Sequence, residues 1–137
     1  MGAWMKRFND WPSRLAAFIE ARRDRAFARG SSDCCMFVAD AVLEMTGVDH
    51  AVRWRGAYSS DKSALRLLRD YGGVAGFARL TLGEPVAAMQ AGRGDIVLID
   101  APEGEALALC LGSAIAVQAR NGLVFLPMSA AKAAWKI

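Results

Sequence analysis

Asp33-Cys34-Cys35-Met36-Phe37-Val38 places a thiol at the start of a helical pattern. The first turn of a helix presents unpaired backbone N–H groups and the positive end of the helix dipole, and both favour negative charge. A thiolate is therefore stabilised there, and the thiolate is the nucleophilic form of cysteine. The same residues also suit a plainer role, because cysteine near a helix end packs as a small apolar side chain. A Cys–His mechanism has only one imidazole to draw on, His50. A helix from Cys34 to Gly47 is about 20 Å long at about 1.5 Å per residue, so His50, three residues further on, reads as a surface-loop histidine far from Cys34. Cys34, Cys35 and Cys110 lack both an obvious fourth ligand and the paired spacing of a zinc site, so no metal or other cofactor is expected. Gly92-Arg93-Gly94 is too short for a phosphate loop and leads into a strand rather than a helix.

The elements that must hold the cysteine follow from local signals. Asn9-Asp10-Trp11-Pro12 opens a first helix, with Trp11, Leu15, Phe18 and Ile19 on one face and arginines on the other; Gly30 closes that region. Ser31-Ser32-Asp33 starts the cysteine helix, with Asp40 and Glu44 on its wetter side and Gly47 as its stop. Residues 48–60 read as a loop. Ser60 or Asp61 caps a third helix with Leu65, Leu68 and Tyr71 inward, Gly72-Gly73 breaks it, and a short helix follows near 74–80. After Gly83-Glu84-Pro85 the pattern turns to strands at 96–99, 106–111, 114–118 and 123–126, with Asn121-Gly122 as a hairpin signal. The tail 133–137 fits an edge strand or a helical turn. Helices followed by an antiparallel sheet make an α+β fold. We expect a single domain over 1–137, composed of a basic N-terminal helix region (1–30), the cysteine helix with the helices after it (31–82), and antiparallel strands (93–137).

The chain has 137 residues, 54% of them hydrophobic, enough for one domain with its own core. Its net charge of +3 is small for a nucleic-acid binder, and no specific nucleic-acid partner is expected. The distribution is uneven. Residues 1–30 contain Lys6, Arg7, Arg14, Arg22, Arg23, Arg25 and Arg29 against Asp10, Glu20 and Asp24. A solvated helix face explains this, and so does a contact surface for an acidic partner, in which case Arg22, Arg23, Arg25 and Arg29 are the candidate residues. Three cysteines, two of them adjacent, suit a reducing cytoplasm rather than a disulfide scaffold. No apolar run is long enough for a membrane span, and Asn9, Asp10, Pro12 and Ser13 stand where a signal peptide would need its apolar core. Of Trp4, Trp11, Trp54 and Trp135, at least one is expected in the core.

Three segments form an ordered series: Asp33-Cys34-Cys35-Met36-Phe37-Val38, then Arg93-Gly94-Asp95-Ile96-Val97-Leu98, then Ala106-Leu107-Ala108-Leu109-Cys110-Leu111-Gly112. The series resembles the NlpC-type papain-like cysteine peptidases, which cut cell-wall peptides, and the resemblance covers roughly residues 30–120. The whole chain is also similar to a family of small proteins of phage and prophage tail clusters. That match is carried by the Asp33–Asp40 helix, Thr46-Gly47-Val48-Asp49, Arg55-Gly56-Ala57-Tyr58 and Gly122-Leu123-Val124-Phe125-Leu126-Pro127. The resemblance implies a papain-like core with Cys34 on the nucleophile position, preceded by Asp33, and the third, orienting polar residue near Gln118. The position of the catalytic histidine falls on Ala106. An imidazole is needed there to take the thiol proton and return it to the leaving amine, and a methyl group does neither.

The expectation is therefore a structural or assembly component of a phage tail tip or baseplate, built on a degenerate peptidase-like fold. It would be made in the host cytoplasm, be located in the phage virion tail, and bind other tail or baseplate proteins such as hub or distal tail proteins, with possible peptidoglycan contact. The alternative is an active cysteine hydrolase, a peptidoglycan peptidase or amidase using Cys34 during cell-wall penetration. A third reading, a small regulatory module binding through its basic N-terminal region, has only the charge asymmetry behind it.

Overall fold

The computed structural model describes residues 6–137, so Trp4 lies outside the described residues. Helix α1 runs Trp11–Arg22 with Pro12 in its first turn. Asp10 occupies the N-cap position but makes no capping bond; its carboxylate accepts instead from Arg14 Nε at 2.8 Å. Helix α2 runs Cys34–Thr46 and is the spine of the molecule. Asp33 caps it by accepting from the Met36 N–H, and Gly47 ends it in the left-handed conformation at φ 78°. A side chain at Gly47 would also meet the Phe8 ring at 2.9 Å. Helix α3 (Asp61–Arg69) begins with a reciprocal capping box between Ser60 and Ser63, and α4 spans Gly73–Leu82.

Five strands follow: β1 Ile96–Ala101, β2 Gly104–Cys110, β3 Ala114–Ala119, β4 Gly122–Pro127 and β5 Ala131–Trp135. They form one antiparallel sheet in the order β4-β3-β2-β1-β5. The architecture is thus α+β, with four helices ahead of a five-stranded antiparallel sheet. Strand alternation divides the side chains into two cores. Ile96, Leu98, Leu107, Leu109, Ala116 and Trp135 face α1, α2 and α4. Val97, Ile99, Ala106, Ala108, Cys110 and Ile115 form a second cluster, closed by Val86, Leu126 and Met128. Trp135 is fully buried, and its indole N–H donates to the Gly83 carbonyl at 2.8 Å.

Several sequence expectations are corrected. Leu65 points outward at 70% exposure; Ala64 is the fully buried residue of α3. Because α3 packs only along one side on α4, the neighbouring leucine has no apolar surface to meet. The β3–β4 turn is centred on Arg120-Asn121, one residue earlier than the Asn-Gly signal, and Gly122 opens β4 because the Arg23 carbonyl lies 2.3 Å from where its Cβ would be. The tail is the edge strand β5.

The candidate arginine surface also divides. Arg22 is 5% exposed. Its guanidinium donates to Asp40 Oδ2 at 2.5 Å and lies over the rings of Phe18 and Phe37. Asp40 binds Arg55 with its other oxygen, and Arg55 reaches on to Asp49. Arg22 is therefore a core residue, turned inward by the end of α1, and no contact surface includes it. Arg23, Arg25 and Arg29 lie beyond the helix, in the segment leading to α2. Reversing charge should separate these roles. Arg22→Glu places a carboxylate against Asp40 and costs roughly 3–5 kcal/mol of stability, whereas Arg23→Glu changes it by no more than about 0.5 kcal/mol. Urea titration of the two variants measures the difference.

Candidate functional site

The first turn of α2 is assembled from three distant segments. Asp33 is buried, and its carboxylate accepts from the N–H groups of Met36 (2.9 Å) and Gly30 (2.8 Å) and from the Tyr58 hydroxyl (2.5 Å). Burial, with the Asp33 charge beside it, pushes the Tyr58 hydroxyl far above its ordinary range, so the phenol stays protonated and keeps donating. Gly30 has φ 83°, and a Cβ there would lie 2.2 Å from the Tyr58 carbonyl oxygen. Its own carbonyl accepts from the Gly56 N–H at 3.0 Å. The Arg55-Gly56-Ala57-Tyr58 segment is thereby tied to the start of the cysteine helix.

Cys34 is half-buried at this first turn and packs against both apolar clusters. A hydrogen bond from Cys35 lowers its thiol pKa, aided by a backbone bond from Leu107 and the Arg29 charge; burial and the Asp33 charge oppose this. Cys35 is buried outright and is pushed the other way, so Cys34 is the thiol that ionises first. Arg29 is held in position by Asp61, which accepts from its Nε at 2.7 Å, and by stacking over Phe27. Its charge also favours the Cys34 thiolate, an effect its sequence position did not suggest.

The other expected residues are held by neighbours of their own. Ala106 precedes Leu107 on β2 and is buried in the second cluster. Gln118 is buried on β3, and its amide donates to the carbonyls of Arg25 (2.8 Å) and Ala119 (2.9 Å), so it anchors the segment after α1 to the hairpin. No hydrogen bond described for Gln118 reaches Cys34. His50 is not a loose surface histidine. It lies half-buried along the flank of α2, in a narrow pocket with Val38, Ala39, Val42 and Thr81, because the loop after α2 folds back onto the helix. Burial lowers its pKa, and a hydrogen bond to the Thr81 backbone partly offsets that.

Asp95 is a second buried carboxylate with its own partners. It accepts from Arg7 (3.0 Å) and Lys136 (2.5 Å) and from the N–H groups of Gly92 (2.8 Å) and Ile137 (3.0 Å). It therefore ties both ends of the described chain to the entrance of β1. Among the described residues, no group of three or more His, Cys, Asp and Glu side chains is placed to hold a metal ion, and no helix is long and apolar enough to cross a membrane.

These environments predict site-selective alkylation. Iodoacetamide should label Cys34 well before Cys35 and Cys110, with a pH midpoint below that of a free thiol. Arg29→Ala removes a positive charge that favours the thiolate, so its midpoint should move up. Mass spectrometry of tryptic peptides across a pH series reads both outcomes.

Residues 6–137 match the family described as domain of unknown function DUF6950. No curated protein matches the chain.

Proposed function

The chain belongs to this DUF6950 family, and from that starting point we propose that it is a structural or assembly component of a phage tail tip or baseplate. In this reading it is built on a degenerate papain-like core of the NlpC type. It is made in the host cytoplasm and carried in the tail, where it binds other tail proteins. Support for the core comes from a cysteine that opens the central helix, against an antiparallel sheet whose second strand reaches the thiol through Leu107. The tail assignment rests on the sequence resemblance; a fold by itself does not define an activity.

One observation carries the loss of catalysis. The residue beside Leu107, where the base belongs in such a peptidase, is Ala106, while the sole histidine of the chain lies along the flank of α2. The thiol retains its helix terminus and its nearby guanidinium but lacks a group to shuttle the proton. Purified protein incubated with peptidoglycan should release no new peptide fragments, and Cys34→Ala should enter tail particles as the native chain does. Fragment release that disappears in Cys34→Ala overturns the proposal.

The depressed Cys34 thiol favours a second reading, an active cysteine hydrolase of cell-wall peptides whose base comes from a partner. Under that reading, fragment release appears only when the chain is combined with other tail proteins.

A further inference from the structure

The two edges of the sheet are finished differently. At the β5 edge, Val86 exchanges backbone hydrogen bonds with Ala134 (2.7 and 3.0 Å), and Lys132 places a charge on the strand. Both are ordinary protections of an exposed edge. The β4 edge is covered only at its start, where the backbone of Arg23 meets Gly122 and Leu123. Its central residues, Leu123-Val124-Phe125-Leu126, are all apolar, and Val124 and Phe125 are 43% and 40% exposed.

The backbone of β4 shows what this edge can accept. The Leu123 N–H points away from β3 and donates to the Arg23 carbonyl at 2.8 Å. The two-residue period of a strand turns the Phe125 N–H and C=O to the same outer side. Among the described residues no hydrogen bond reaches either group. A groove of about 360 Å³ runs along this edge, between the hairpin and Arg23-Asp24. Arg23 and Arg120 line it, Arg23 lies over the Phe125 ring at 5.5 Å, and the exposed Arg25 is held beside the hairpin through Gln118. Asp24 is the one carboxylate in the lining.

We propose that β4 is a docking edge for an extended acidic segment of a partner protein, which adds as a further strand with its main chain on Phe125 and its carboxylates on Arg23, Arg25 and Arg120. Strand addition supplies affinity through backbone hydrogen bonds, and flanking charges select the partner. The three guanidiniums favour an acidic segment over a second copy of this chain, which would bring the same cations to the same edge. This inference deepens the assembly reading and rests on it for the partner being a protein.

The test uses the full chain and two synthetic peptides, an alternating Glu-Val octamer and its Lys-Val counterpart. Titration of the Glu-Val peptide, followed by backbone amide NMR, should shift Phe125 and its neighbours saturably and slow Phe125 amide exchange at least tenfold. Phe125→Pro removes the outward N–H without touching the bonds to β3, and should abolish binding. Arg23→Glu with Arg120→Glu, which leaves the strand intact, should weaken it at least tenfold. Equal binding of the Lys-Val peptide, absence of Glu-Val binding, or survival of binding in both variants overturns the proposal. So does a concentration-dependent dimer, seen by light scattering, that Phe125→Pro dissolves, because the occupant is then a second copy. Peptidoglycan cleavage is a separate readout; a positive result there removes the assembly reading and leaves the peptide titration unaffected.

Discussion

Asp95→Ala should be among the most damaging substitutions in the chain, lowering stability by about 3–5 kcal/mol, the usual cost of removing one partner from a buried charge pair. The carboxylate is fully buried and receives two cationic groups and two backbone N–H groups. Alanine leaves the N–H groups of Gly92 and Ile137 without their acceptor, takes the carboxylate from Arg7 and Lys136, and opens the junction at the start of β1. For a domain of this length, about 3–4 °C per kcal/mol corresponds to a fall in Tm of about 10–20 °C. Lys136→Ala is the control: its side chain is 46% exposed, so its half of the pair contributes no more than about 1 kcal/mol. Calorimetry of both variants measures the gap. Equal losses would show that the carboxylate acts only through lysine.

Asp33→Ala comes next and acts by a different route. Loss of the helix cap costs about 1 kcal/mol. The Tyr58 hydroxyl and the Gly30 N–H then remain buried without an acceptor, at about 1–3 kcal/mol each, so the total should be about 3–7 kcal/mol. Asp33→Asn separates charge from geometry. Asparagine still caps the helix through its amide oxygen, but its NH2 stands where Oδ2 accepts from Gly30 and Tyr58; the Tyr58 hydroxyl can turn to accept from it while the Gly30 N–H stays unpaired, so only part of the stability should return. The thiol should respond in the opposite sense to Arg29→Ala. The Asp33 charge opposes ionisation of Cys34, so its removal moves the alkylation midpoint of Cys34 to lower pH. Thermal melts and the pH profile of labelling together test both parts.

The contrast between these two aspartates shows what the sequence could reveal. Asp33 was legible because its signal is local: a capping residue directly ahead of an apolar helix, with its acceptor bond three residues away. The same holds for Gly47 and Ser60, and for the strands, whose apolar runs are short and bounded by glycine. The partnership of Asp33 with Tyr58 joins residues 25 apart, and that of Asp95 with Arg7 joins residues 88 apart. No spacing rule connects such positions. The cysteine at the head of α2 was legible, and so was the methyl group at position 106. The placement of Arg29 beside the thiol was not, because it depends on where Asp61 brings its carboxylate. Arg22 and Leu65 were misplaced for a related reason. Composition sends an arginine outward and a leucine inward, and tertiary packing reversed both: Asp40 and two phenylalanine rings enclose the arginine, and α3 has apolar contact on only one side.

The position of β5 has a consequence for how the chain is synthesised. β1 lies between β2 and β5, so one side of its pairing waits for residues 131–135, and the charge of Asp95 waits for Lys136 and Ile137. While the ribosome is still adding those residues, the nascent chain has an unfilled slot beside its most apolar strand. Folding therefore cannot finish in order along the chain; residues 131–137 complete the sheet. A chain cut before residue 131 would leave the central sheet open to whatever strand is nearby.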